Sequence, residues 1–556
     1  MDFSELSAVF TRLEGISGRL EMTDVVAEFL RSVPESQLST TLLFLRGRVF
    51  PEWGASELGV AEKLMFKALS DVSGASEDEI NCVLRETGDM GLVAERIAER
   101  RQQTTLFSQK ITVGKVHENL VKLSSLEGKG SQEKKLGYIN ELLSNASAEE
   151  SKYLVRLILG QLRLGVGEGT VRDAIAKAFG VRAELVERGF NLGLDYGEVA
   201  KVAKKSGDAG LKEISMKLGQ PLKVMLAQKI GGLKEALDEL GEAEFEVKYD
   251  GARVQIHKDG EKIKLFTRRL EDITTQFPEV ASNAKSNIMA DSCIVEGEIV
   301  AINNDAGRRP LAFQNLSKRI KRKYRIEEMV KDIPVEVNLF DLVYLNGETK
   351  VDLPFRERRN LLSGIVKTSE SFRLAGSLVT KDLNAAEEFY KKALDMGHEG
   401  VMAKVLDAPY QPGSRVGYMY KIKPIMETLD LVLTGATWGE GRRASWLGSY
   451  LLSIYDSETG GLLAIGRMAT GLTDQQLQDM TELLKPTIIS EDGKEVELKP
   501  TTVVEVAYEE IQKSPTYSSG YALRFPRLVR VREDKGVEEA DNLRRVEELM
   551  KSSGNG

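Results

Sequence analysis

The stretch Glu244-Phe245-Glu246-Val247-Lys248-Tyr249-Asp250-Gly251-Ala252-Arg253-Val254-Gln255-Ile256-His257, followed by KDGEKIKLFTRR to Arg269, decides how the chain is read. Apolar and polar residues alternate through it, the period of a half-buried strand. Asp259-Gly260 stands between two such runs, a signal for a hairpin with a two-residue turn. Lys248 falls at a strand end, just before a glycine-containing turn. There a lysine can project into a pocket while the backbone approaches a ligand closely. An amine is a nucleophile only when neutral, and burial beside a cation such as Arg253 would favour that form. A solvated hairpin carrying an ordinary lysine and arginine is the plainer alternative for this stretch taken alone.

Outward from this point the texture differs on either side. Residues 1 to about 215 carry apolar residues at helical spacing, as in SKYLVRLILGQLRLGV and VRDAIAKAFG, with few strand signals. Downstream, strands alternate with helices: CIVEGEIVAIN, a basic helix, VEVNLFDLVYL, a helix at about 384–396, then EGVMAKV. From about 429, short strands with glycine-rich turns (LDLVLTGATWG, GSYLLSIYD, GLLAIGRMA, TVVEVAYEEIQ) suggest a small antiparallel barrel. Three domains are expected: residues 1–215 helical, 216–428 mixed α/β, and 429–556 barrel-like.

Composition bounds the classes. The 556 residues include 77 basic and 85 acidic side chains, a net charge of −8, with 42% hydrophobic content, as in ordinary globular chains. Two cysteines, Cys82 and Cys293, exclude a disulfide scaffold and a four-thiolate zinc site and fit a reducing compartment. No apolar run approaches the roughly 20 residues of a membrane span. The opening MDFSELSAVFTRLEGISGRL has acids and helical periodicity, unlike a secretory or transit peptide. His117, His257 and His398 are too scattered for a zinc site, and a strand-end role with a backbone partner is expected for His398.

Charged residues recur where strands should be. Glu296-Gly297-Glu298 lies within a hydrophobic strand and Glu399 opens another. Buried carboxylates are costly unless paired or metal-bound, and two converging ones could hold a hard divalent cation. Glu296 is read as sharing a solvent face with Glu298, whereas Glu298 and Glu399 are read as functional. Phe340 suits the core or a stack on a purine. Lys421 and Lys423 alternate onto one strand face, as for phosphate binding or an exposed edge. Residues 306–326 hold eight basic residues and no acid, a stripe suited to DNA phosphates or to a solvated helix face. Gly165-Val166-Gly167-Glu168-Gly169 follows a helical pattern, not a strand, so it is read as a helix-to-helix junction with the next helix starting at Thr170, not a dinucleotide loop.

Taken together and in order, KYDGAR (248–253), FTRRLEDIT (266–274), VEGEIVA (295–301), LFDLVYLNG (339–347), EGVMAK (399–404), YKIKP (420–424) and RFPRLVRVREDK (524–535) resemble the nucleotidyltransferase motifs of ATP-dependent DNA ligases, most closely the archaeal and eukaryotic replicative type. QLRLGVG (161–167) and KVMLA (223–227) resemble that family's DNA-binding domain, so the resemblance spans nearly the whole chain. It implies a multidomain α+β protein with an all-helical DNA-binding domain, an α/β, ATP-grasp-like two-sheet nucleotidyltransferase core and a C-terminal OB-fold barrel. It implies ATP and Mg2+ (or Mn2+) as cofactors, nicked duplex DNA as substrate, and a monomer. The location would be cytoplasmic in an archaeon and nuclear in a eukaryote. By match to the motifs, Lys248 takes AMP, Glu246 contacts the adenine amine through its side chain or its backbone, and Phe340 stacks on the base. Arg253, Arg268 and Arg415 serve ribose or phosphates, and Lys421 and Lys423 the α-phosphate. Glu298 and Glu399 serve ribose or metal. Arg530, Asp534 and Lys535 close over the nucleotide and orient pyrophosphate. Gln103, Leu106 and Phe107 resemble an abbreviated sliding-clamp peptide. The competing readings are an RNA-ligase or capping-type nucleotidyltransferase, which the long helical half and RVREDK disfavour, and a catalytically inactive DNA-binding scaffold, which the intact motifs disfavour.

Overall fold

A computed structural model describes residues 1–53, 58–99, 110–128, 130–162, 164–193, 195–303, 308–311, 313–322, 324–424, 428–439, 443–456, 459–469 and 471–552. The candidate clamp residues Gln103, Leu106 and Phe107 lie outside them. The chain forms two compact units, Met1–Ile422 and Lys423–Gly556.

The first half of the first unit is helical, from Phe3–Glu14 to Tyr196–Lys212. Each helix buries one apolar stripe in a shared core that includes Phe3, Phe10, Phe44, Leu154 and Phe190. Local signals set the ends: Ser147 accepts from the Glu150 N–H, and Glu150 reaches back to the Ser147 N–H, so a capping box starts Ala148–Ile158. The glycine run at 165–169 does join two helices, although the second starts at Glu168 after Gly167 rather than at Thr170.

The rest of this unit is built on two sheets. One has the strand order Leu226–Lys229, Arg415–Ile422, Gly400–Val405, Ala243–Lys248, Ser377–Thr380. Its outer face, with Phe245 and Val247, packs on helices Leu233–Leu240 and Leu383–Asp395. The other runs Lys262–Thr267, Ala252–Asp259, Ser292–Asn303, Val335–Leu345, Glu348–Thr349. Val254, Ile256, Val295, Ile299, Val337 and Leu339 fill the core on its back. The expected hairpin is present, with Asp259 paired to Lys262 across Gly260-Glu261; Gly260, at φ 55°, takes the left-handed turn position. Because strand side chains alternate, the residues left for the opposite faces are Glu244, Glu246, Lys248, Met402 and Lys404 on one sheet and Arg253, Gln255, Glu296 and Glu298 on the other.

The basic stretch 306–326 behaves unevenly. Lys318, Lys321 and Arg322 are exposed, as a phosphate-contacting stripe needs. Arg319 is 0% exposed: it donates to the Gln276 and Ile333 carbonyls, pairs with Glu279, and lies 4.4 Å from the Phe277 ring centroid. It is a core residue, and the reading of the whole stretch as one solvent-facing stripe fails there.

The second unit is strand-rich. Leu429–Trp438 pairs with Leu447–Tyr455, Glu495–Leu498 and Val503–Ala507 in a seven-stranded sheet over a core with Leu431, Tyr450 and Ile465. Among the described residues, no helix is long and apolar enough to cross a membrane.

Candidate active site

Lys248 ends the strand Ala243–Lys248, half-buried, and its ammonium is paired with the Glu399 carboxylate. Glu399 enters the next strand, Gly400–Val405, and its N–H donates to the Lys248 carbonyl at 2.9 Å, so backbone and side chain both tie the two motifs together. Gly251 is demanded by crowding: a Cβ there would lie 2.3 Å from the Ile299 carbonyl oxygen and 2.9 Å from Glu298 Cγ. This close approach between strands brings Glu298 up to the lysine turn. Gly297 is similarly required, since a Cβ would meet the Asn338 carbonyl oxygen at 2.8 Å.

Burial pushes the Glu298 carboxyl up to about 8. Lys248 and Arg253 pull it down, while Glu399 and Asp250 raise it further. These four groups and Glu298 thus share one electrostatic neighbourhood. Hard carboxylate oxygens of this kind suit Mg2+ or Mn2+. Among the described residues, no group of three or more His, Cys, Asp or Glu is gathered to hold a metal ion, so water and phosphate oxygens would have to complete any such coordination.

Glu296 is not on a solvent face. It is 0% exposed and takes three hydrogen bonds: Arg253 Nη2 at 2.6 Å, Tyr410 Oη at 2.9 Å and Gln255 Nε2 at 3.2 Å. A register shift between Glu296 and Gly297 interrupts the pairing with Val335–Leu345, and the half-buried Arg253 supplies the counter-charge that a strand pattern does not reveal. Arg253 also donates through Nη1 to the Met225 carbonyl at 3.0 Å, while its Nε is buried without a hydrogen-bond partner among the described residues. That orphan donor fits a ribose or phosphate oxygen.

Phe340 is half-buried, with the Arg253 guanidinium 5.3 Å and Lys404 Nζ 4.8 Å from its ring centroid. The next residue, Asp341, is fixed by two hydrogen bonds from the buried Arg358, at 2.9 and 3.1 Å. Glu246 is 2% exposed and paired with Lys404. Arg268 is exposed; partial desolvation, then the charges of Arg253 and Arg415, hold its guanidinium below its usual value, which places three arginines near one another. Arg415 donates to the Ala227 carbonyl at 2.8 Å. Lys421 stands opposite Met402 in register, on the same sheet face as Glu246 and Lys404. Lys423 begins the second unit.

Among the described residues His398 does not find the expected backbone partner for its ring: the ring meets Tyr249 edge-on at 4.9 Å, and Nδ1 has no hydrogen-bond partner there. Lys404, Arg359, Tyr410 and Gln255 were not singled out from the sequence. Lys404 closes the EGVMAK motif at strand spacing from Met402, a signal that could have marked it.

In the second unit, Lys535 pairs with Asp430 at 2.7 Å. Arg532 bridges Asp430 and Asp534, holding the Asp534 carboxyl well below its usual range. Arg530 pairs with Glu505, Arg527 with Glu509 and Arg524 with Glu510.

A lysine beside paired acids, an aromatic platform and converging arginines between two sheets is the equipment of a nucleotidyltransferase. Three family models match the chain: DNA ligase N terminus over residues 2–176, ATP dependent DNA ligase domain over 224–423, and ATP dependent DNA ligase C terminal region over 443–535. A DNA ligase of Thermococcus onnurineus (strain NA1) is 49% identical over 550 residues, 99% of this chain and 98% of that protein. A DNA ligase of Methanopyrus kandleri is 47% identical over 552 residues, 99% of each. The solved structure Pmar-Lig_PreS3 shares the fold, with TM-score 0.58 and 19% identity over 95% of this chain and 99% of that one. The chain belongs to the ATP-dependent DNA ligase family, whose work is the ATP-driven sealing of nicks.

Proposed function

We propose that Lys248 carries the AMP in this reaction. Its amine nitrogen attacks the α-phosphorus of ATP, a P–N bond forms, the α–β P–O bond breaks and pyrophosphate leaves. The 5′-phosphate at a nick then attacks the same phosphorus and releases Lys248. Finally the 3′-hydroxyl attacks the 5′-phosphate and AMP departs. The observation that carries this reading is the Lys248–Glu399 pair, with Glu246 on the same strand face as Lys248, Arg253 and Glu298 opposite each other in the second sheet, and the Arg253 guanidinium over the Phe340 ring. The carboxylate of Glu399 stands where it can receive the ammonium proton before attack. Phosphoryl chemistry asks chiefly for positioning and charge neutralisation.

Phe340 offers its ring to adenine, and Glu246 Oε1, buried without a hydrogen-bond partner, accepts from the 6-amino group. Arg253 Nε, Arg268, Arg415, Lys421 and Lys423 take ribose and phosphate oxygens. Glu298 and Glu399 would hold Mg2+ or Mn2+, which when bound neutralises phosphate charge. Arg530, Asp534 and Lys535 serve the departure of pyrophosphate. The substrate is nicked duplex DNA, gripped in part by Lys318, Lys321 and Arg322. The protein acts as a monomer in an archaeal cytoplasm, with Gln103, Leu106 and Phe107 as the candidate clamp peptide. The test is incubation with α-labelled ATP and Mg2+, then peptide mapping and a chase with nicked DNA or nicked RNA. AMP on Lys248 that moves to DNA is expected. Label elsewhere, or full sealing by Lys248→Ala, would overturn the assignment.

A further inference from the structure

Glu246 is held in an unusual way. Its Oε2 pairs with Lys404, whereas Oε1 has no hydrogen-bond partner among the described residues and lies 4.0 Å from Arg359 Nε. Glu244, two residues earlier on the same face, is also buried, with Oε1 3.3 Å from Arg359 Nε. Two buried carboxylates therefore share two cations. The cations differ in freedom. Arg359 is fixed by donating to the Leu339 and Ala375 carbonyls at 2.8 and 2.6 Å. Lys404 lies against two rings, 4.8 Å from the Phe340 centroid and 4.6 Å from that of Phe355. The ammonium that neutralises Glu246 thus sits beside the aromatic platform itself.

We propose that Lys404 is a positioning residue for base selection: by holding Glu246 as a carboxylate, an acceptor with no proton to give, it makes the cleft choose a 6-amino purine over a 6-oxo purine. The proposal rests on the reading of Glu246 and Phe340 as base contacts given above. The chemistry is a matter of donor and acceptor. A 6-amino group donates and is welcomed by a carboxylate; a 6-oxo group only accepts and is repelled by one. A protonated carboxyl could donate to the 6-oxo oxygen, and the discrimination would soften. Burial already pushes the Glu246 carboxyl above its usual value, with Lys404 and then Arg359 opposing the rise and Glu244 adding to it. Without Lys404, the neutral acid gains.

The experiment compares ATP with ITP, in which a 6-oxo group replaces the 6-amino group and N1 carries a proton, in forming the nucleotidyl-enzyme, read by intact mass of the full chain. The unaltered protein should prefer ATP. Lys404→Met should cut the ATP-to-ITP ratio of kcat/KM by roughly 10- to 100-fold, the scale of a hydrogen bond to a charged group. Lys404→Arg should restore most of it. A ratio unchanged in Lys404→Met, whatever happens to the absolute rates, would overturn the proposal by reducing Lys404 to a packing role. If Lys404→Met does not fold, Lys404→Gln, which keeps a polar head, carries the same expectation and the same refutation. Glu246→Gln separates the two layers: if it too leaves the ratio unchanged, the reading of Glu246 as a base contact fails first, and the role of Lys404 with it.

Discussion

Glu296→Leu is the most informative perturbation of the site. The substitution leaves the half-buried Arg253 guanidinium without its counter-ion and removes the acceptor of three hydrogen bonds, from Arg253, Tyr410 and Gln255. Breaking a buried pair by deleting one partner costs about 3–5 kcal/mol, because the remaining charge stays desolvated. The chain has two units, so a single melting temperature is a poor measure, and local opening is the better one. Amide hydrogen exchange in the intact chain, followed on peptides covering residues 222–226 and 294–298, should accelerate by roughly 10²- to 4 × 10³-fold, since about 1.4 kcal/mol is a factor of ten. The double variant Arg253→Met/Glu296→Leu removes both charges and should recover most of the protection, while failing to form the adenylate because the arginine is gone. Acceleration below about fivefold in Glu296→Leu would mean the carboxylate compensates no buried charge. A double variant as labile as the sum of its parts would show that the two residues are not coupled.

Three further outcomes follow from the geometry. The folded protein keeps a proton on Glu298 up to about pH 8 that the unfolded chain releases near 4.5, so this group's contribution is full in acid and is lost as pH rises between those values; Glu298→Gln should flatten that decline when stability is compared at pH 5 and 8.5, and an unchanged slope would refute it. Lys535→Ala should slow self-adenylation more than sealing of pre-adenylated nicks, and equal loss in both assays would remove the closing role. Lys318→Ala and Lys321→Ala should each lower the salt slope of DNA binding by up to about one, whereas Arg319→Met should destabilise the fold; a salt slope altered only by Arg319→Met would reverse the assignment.

The strands and helices that frame the cleft were readable because their signals are local. The alternation in EFEVKYDGARVQIH and the helical spacing in SKYLVRLI survive in the structure. Pairing between distant segments was not readable. Glu296 sits one strand spacing from Glu298, and nothing in the local pattern says that one is sealed under Arg253 and Tyr410 while the other faces the lysine turn. Arg319 shows the same limit in reverse: a cation among exposed neighbours, its burial is decided by Glu279, Phe277 and two carbonyls from elsewhere in the chain. The Lys404–Glu246 pair depends on register between strands more than 150 residues apart, which composition does not encode.

The segment ahead of the catalytic strands is stitched down at every third residue. The Gly219 N–H donates to His257 Nδ1 at 3.2 Å, and Leu222 exchanges hydrogen bonds with Gln255 at 3.1 and 2.7 Å. Met225 gives its carbonyl to Arg253 and its N–H to Tyr410. Met216, Leu222 and Met225 share one apolar cluster with Leu192 of the helical half and Ile294 and Val343 of the two-sheet half. A shortened enzyme that starts at the Ala243–Lys248 strand would therefore strip the backing from the very arginine proposed to contact the nucleotide. Anyone trimming this ligase to its smallest self-adenylating fragment should cut upstream of Met216.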